Sequence, residues 1–144
     1  MKKGFTLAET VVALSVILIV TLAFYSFANF SRAAHQRTMA TSFGILQVEN
    51  IKNIFDATTF YENNFENFYA NLAQVYDNIS INTSANACNF QIYTTLEGGQ
   101  VSNGEVACNF EINIDENWAT ISAVVEYKNK TVFEMQPYQK AVVR

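Results

Sequence analysis

Met1-Lys2-Lys3-Gly4-Phe5-Thr6-Leu7-Ala8-Glu9 opens the chain, and from Thr10 to Ser31 the next 22 residues carry no charged side chain. A helix of that length spans about 33 Å, enough to cross a hydrocarbon core of roughly 30 Å. The run is rich in Val, Ile and Leu and holds neither Gly nor Pro. Its β-branched residues lower helix propensity in water, but in lipid every backbone amide must be bonded internally. A helix alone achieves that in a single segment. Lys2 and Lys3 precede the span, and most of the acids lie beyond residue 48. The positive-inside bias then puts the N-terminus in the cytoplasm and the larger part of the chain outside.

Glu9 breaks the apolar logic. A carboxylate at mid-membrane costs about 2.5–3.5 kcal/mol on insertion scales, and less near an end. Taken alone, Glu9 reads as a flanking residue at the interface, favoured by the positive end of the helix dipole. Its neighbours say more. A short lysine leader, Gly4-Phe5-Thr6-Leu7, one further residue, Glu9 and then an unbroken apolar helix together resemble the class III signal of type IV prepilins and pseudopilins. The likeness covers residues 1 to about 30.

That resemblance implies a set of roles. A membrane prepilin peptidase would cut after Gly4 and methylate the new N-terminal amine of Phe5. Glu9 would pair with the N-terminal ammonium of a neighbouring subunit. The partners implied are other pilin or pseudopilin subunits, the peptidase, an inner-membrane assembly platform and the lipid bilayer. The precursor would be a single-pass protein of the cytoplasmic membrane, and the product an extracellular or periplasmic filament. Electrostatics is consistent with this. A buried carboxylate and a buried ammonium are each expensive alone; brought together they neutralise one another, and one axial stagger between subunits allows it. Truncating one partner of such a pair typically costs about 3–5 kcal/mol.

An ordinary secretory signal is the rival processing route, with Ser26-Phe27-Ala28 as a small-x-small cleavage site. Against it, the apolar run exceeds the usual length of about 7–15 residues and carries Glu9 near its start. The mature N-terminus would be Phe5 in one case and Asn29 in the other.

The chain is acidic, with 9 Lys and Arg against 13 Asp and Glu. Without Lys2 and Lys3 the balance is 7 against 13, a net charge of −6. No basic footprint for nucleic acid is present, since Arg32, Arg37 and Lys52 are too few to form one. His35 is the single histidine, which excludes His-based metal clusters and Ser-His-Asp triads. The glycines between Gly98 and Gly104 lack a P-loop lysine and following helix, so they read as a hairpin loop. Asp115 and Glu116 read as a solvated turn. No catalytic constellation, cofactor or metal is expected.

Past Ser31 nothing interrupts the helix. Met39, Phe43, Leu46, Ile51, Ile54 and Phe55 recur at helical spacing and predict a water-exposed continuation with one apolar stripe. Phe5 to Phe55 would make a rod of roughly 75 Å, with Gly44 as a local bend. Tyr61, Phe65, Phe68, Leu72 and either Val75 or Tyr76 predict a short second helix. From residue 87 the period changes to two. Series beginning at Cys88, Val106, Ala119 and Phe133, separated by turn residues, predict an antiparallel meander of about four strands with one apolar face. The expected fold is therefore α+β and pilin-like: a long N-terminal helix packed on a C-terminal antiparallel sheet, with a short second helix. Expected segments are 1–4 leader, 5–30 membrane and polymerisation helix, 31–56 amphipathic continuation and 57–144 globular domain.

Ala87-Cys88-Asn89-Phe90-Gln91-Ile92 echoes Ala107-Cys108-Asn109-Phe110-Glu111-Ile112. Both cysteines fall on the apolar face of their strands, and a hairpin folded about Gly98 would set them opposite each other. In an exported domain a Cys88–Cys108 disulfide is the expectation, with two free core thiols as the alternative.

Two classes of function fit. The first is a structural filament subunit. Glu9-Thr10-Val11-Val12-Ala13-Leu14 resembles the start of minor pilins and secretion pseudopilins, and the chain lacks the membrane-half proline usual in pilins. Pilus, type II secretion and competence systems all remain open. The second is a non-polymerising, membrane-anchored surface protein that uses its sheet for adhesion or ligand binding. Neither is an enzyme.

Overall fold

The period-two series become strands because their apolar positions bury, fully in β2, β4 and β5 and partly in β6, against the helices on one side. The computed structural model describes residues 6–61, 65–77, 79–84 and 86–143. Among them are two helices, α1 (Leu7–Ala57) and α2 (Glu66–Ala73), and six strands: β1 (Ile81–Thr83), β2 (Ala87–Thr94), β3 (Gln100–Val101), β4 (Val106–Ile114), β5 (Trp118–Tyr127) and β6 (Lys130–Ala141). The chain forms two units, one ending at Gln36 and the other beginning at Arg37. The second is a pilin-like α+β arrangement, in which the latter part of α1 and the short α2 pack on an antiparallel sheet.

The four long strands pair in the order β2-β4-β5-β6, the predicted meander. β1 and β3 add to the other edge of β2 at its two ends. They were not foreseen, being too short to show a period. β5 turns into β6 through Lys128 and Asn129, both at positive φ (51° and 60°), as a two-residue hairpin requires. β6 slips register twice against β5, between its pairings with Ile121 and Ala123 and again between Val125 and Glu126. The first slip takes in Pro137, which cannot donate to a ladder.

Aromatic rings link the layers. Phe55 touches Phe60, Phe60 touches Phe68, Phe68 touches Phe90, and Phe90 stacks on Phe110 with ring centroids 5.0 Å apart. This series runs from α1 through α2 to β2 and β4. α2 buries Phe68 and Leu72, and Tyr76 is buried just beyond it, while Val75 is exposed. Tyr61 lies outside the helix and pairs with Val143.

The buried stripe of α1 agrees with the predicted one at Ile51 and Phe55, with Ile54 partly buried, and differs from it ahead of them. Ala40, Gly44, Val48, Ile51 and Phe55 face the sheet, whereas Leu46 is 51% exposed. Small residues occupy the first half of the stripe because the helix backbone approaches β5 there. A Cβ on Gly44 would run into the methyl groups of Val125. Gly44 therefore serves close approach of the helix to β5.

α1 has no basic residue in its last turn. Lys140 of β6 supplies one from across the structure: its Nζ donates to the carbonyls of Asp56 and, at 2.7 Å, of Thr58. The Thr58 hydroxyl donates to the Ile54 carbonyl at 2.7 Å and accepts from Asn71 Nδ2 at 3.0 Å. The helix end is thus satisfied by Lys140 of β6 and by the Thr58 hydroxyl, which Asn71 of α2 in turn holds.

The expected Cys88–Cys108 disulfide is absent; both thiols are free and buried. Cys88 lies opposite Ile112, and Cys108 lies opposite Ile92. The strands fold about position 100 instead of Gly98, because β3 is inserted before the chain crosses to β4. Each sulfur is therefore displaced by four residues from the other, about 13 Å along the strands, whereas a bridge needs Cα atoms within about 7 Å.

Candidate functional site

The first unit carries the feature that demands explanation. From Leu7 to Phe30 the apolar side chains of α1 are open to the surroundings, Leu7 at 85% and Phe30 at 73%. This helix is long and apolar enough to cross a membrane by length and composition. The exposed residues form no single stripe; they cover the whole circumference, as expected of a helix surrounded by lipid or by other apolar helices. Three of its hydroxyls are satisfied internally. Thr10 donates to the Leu7 carbonyl, Ser15 to that of Val11 and Thr21 to that of Ile17, each at 2.8 Å. None of the three then needs water.

The helix starts with a reciprocal cap. Thr6 precedes the first helical residue, and Glu9 occupies the third position of the first turn. The Thr6 backbone N–H donates to Glu9 Oε2 at 2.8 Å, the Thr6 hydroxyl donates to the same oxygen at 2.9 Å, and the Glu9 N–H donates back to Thr6 Oγ1 at 3.4 Å. This is a capping box, in which side chains at both positions satisfy orphan amides of the first turn. Oε2 is thereby held, while Oε1 accepts nothing from the described residues. The carboxylate is fixed at the amino end of the apolar helix with one oxygen turned to whatever surrounds it. The T-x-x-E spacing is legible in the sequence, where Thr6 also forms part of the processing signal.

Of the other predicted site residues, Gly4 and Phe5 lie outside the described residues. Cys88 and Cys108 belong to the sheet core of the second unit and to no site. Burial raises both thiol pKa values, that of Cys108 to about 12. No group of three or more His, Cys, Asp or Glu placed to hold a metal occurs among the described residues.

A family model described as "Prokaryotic N-terminal methylation motif" matches residues 1–25. The chain thus carries the class III signal typical of type IV pilins and pseudopilins, over the stretch that includes Gly4, Phe5, Thr6 and Glu9. No curated protein and no solved structure matches the chain.

Proposed function

We propose that the chain is a precursor of a filament subunit, cut after Gly4, methylated on Phe5 and assembled through α1. The observation that carries this reading is the exposed apolar first part of α1, beginning with a fixed carboxylate inside a methylation motif. Before assembly the helix is solvated by lipid. Afterwards the same surface is covered by the helices of other subunits, and Glu9 Oε1 meets the terminal ammonium of one of them. Removing the Lys2-Lys3 leader creates that ammonium next to the carboxylate layer. The pairing selects axial register more than it adds affinity, since desolvating both charges offsets much of their attraction. Head-to-tail contacts of this kind do not close on themselves and so propagate into a filament.

Within this reading we favour a minor or pseudopilin role, on the likeness of residues 9–14 to tip-complex subunits. The precursor sits with its amino end in the cytoplasm and the unit from Arg37 onward outside the membrane. The test is mass spectrometry of the chain from cells with and without the processing peptidase. The expected mature chain begins at methylated Phe5. A chain keeping Lys2 and Lys3 in the presence of the peptidase would reverse the conclusion in favour of an anchored, non-polymerising protein. Glu9→Ala subunits should be processed yet missing from filaments.

A further inference from the structure

The face of the sheet turned away from the helices holds an open cleft of about 580 Å³, within the volume range of small-molecule sites. Its floor is formed by β2, β4 and β5, and β1 and the connection from β3 to β4 contribute at its margin. Strand register sets its chemistry. Asn89 lies opposite Glu111, which lies opposite Ser122; one step along, Gln91 lies opposite Asn109. These polar rows are about 7 Å apart, and Tyr93 continues the same face of β2.

The polar groups are held in place. Gln91 Nε2 donates to Asn109 Oδ1 at 2.5 Å, and Asn109 Nδ2 donates to Glu126 Oε2 at 3.2 Å. Asn113 Nδ2 donates to Glu111 Oε1 at 3.0 Å. These bonds orient both amides and leave Gln91 Oε1 and the second N–H of each amide available for a ligand. Orientation before binding lowers the ordering cost that a flexible polar surface would incur.

Charge and topology narrow the occupant. Among the described residues that line the cleft there is no Lys, Arg or His, and Glu111 supplies a negative charge. A phosphate polymer or other polyanion is repelled by such a lining. A peptide strand adds to a sheet edge, but here the backbone groups of the floor are consumed by the β2–β4–β5 ladders. A purely apolar ligand would strand the amides. A neutral polyhydroxylated chain fits all three constraints. Each hydroxyl both donates and accepts, as each carboxamide does, and the Tyr93 ring offers a surface to the C–H face of a sugar. The rows span roughly 10 by 13 Å, the extent of a di- or trisaccharide.

We propose that this cleft binds a neutral glycan through Gln91, Asn109, Asn89 and Tyr93. The proposal is independent of how the N-terminus is processed. It is tested with the full chain in lipid nanodiscs, free of glycoside detergents, on an array of immobilised neutral and anionic oligosaccharides, followed by calorimetry with the free sugar. At least one neutral class should bind. Gln91→Ala and Asn109→Ala should each weaken it by about tenfold, as expected for loss of well-placed hydrogen bonds. Glu49→Ala, on the exposed face of α1, should leave binding unchanged. Circular dichroism of each variant checks the fold; Gln91 is exposed, so its truncation keeps the test valid should Asn109→Ala unfold. Binding only to sulfated or phosphorylated glycans, binding to no neutral glycan, or neutral binding that survives both truncations in folded protein would overturn the proposal.

Discussion

Cys108 is completely buried beneath the helices, and burial moves its thiol pKa from the ordinary 9.0 to about 12. The sign of the consequence follows from proton counting. Between those values the unfolded chain has lost the proton that the folded chain retains, so stability falls as pH rises through that window. The loss attributable to this one group is roughly 1 kcal/mol per pH unit, and below pH 9 its contribution is fully present. In the full chain in detergent, Cys108→Ala should show a shallower alkaline decline of Tm than the parent; equal slopes would contradict the assignment. Neither thiol should react with an aromatic disulfide reagent in the folded chain, and both should react in guanidinium without reductant. A chain that labels only after reduction would mean that the sulfurs are bonded, against the observed register.

Elements are joined at a few points where particular side chains are indispensable. Gly44 lets α1 approach Val125 of β5, and an added side chain meets those methyl groups at once. Gly44→Val should cost about 1–3 kcal/mol through overpacking. Val125→Ala should restore part of that loss, giving a coupling in a double-mutant cycle that independent sites would not show. The C-terminal end of α1 depends on Lys140, whose ammonium answers carbonyls that the helix itself leaves unpaired. Lys140→Met keeps the stem and removes the donors, with an expected loss of about 1–2 kcal/mol. A Tm unchanged from the parent would show that water replaces the ammonium at no cost.

At the scale of the molecule, two units differ in where their apolar surface goes. The part from Arg37 onward buries its own core, including Phe55, Phe60, Phe68, Ile112 and Ile121. Among the described residues before it none is buried, and Leu, Ile, Val and Phe are exposed along the helix. A chain beginning at Arg37 should therefore be soluble without detergent, monomeric by light scattering and cooperative in thermal unfolding. The full chain should require detergent or lipid. Aggregation of the shorter chain, or the absence of a melting transition, would mean that the sheet needs the apolar segment to fold.

The sequence by itself determined whatever depends on local pattern. An uncharged run of 22 residues specifies a membrane-length helix, period two specifies strands, and Gly4, Phe5 and Glu9 at their spacing specify the processing motif. These are properties of a residue and its near neighbours, so they can be read along the chain. Tertiary structure decided which residues meet across it. Register moved Cys88 opposite Ile112, because the two-residue β3 pairs with the far edge of β2 before the chain crosses to β4. Close approach to Val125 put Gly44 in the buried stripe, with Ala40 and Val48 one turn to either side, while Leu46 stayed exposed. The same register aligned Gln91 with Asn109 to make the outer cleft. Each of these outcomes depends on long-range pairing, where a shift of a few residues leaves the local pattern intact and changes every partner.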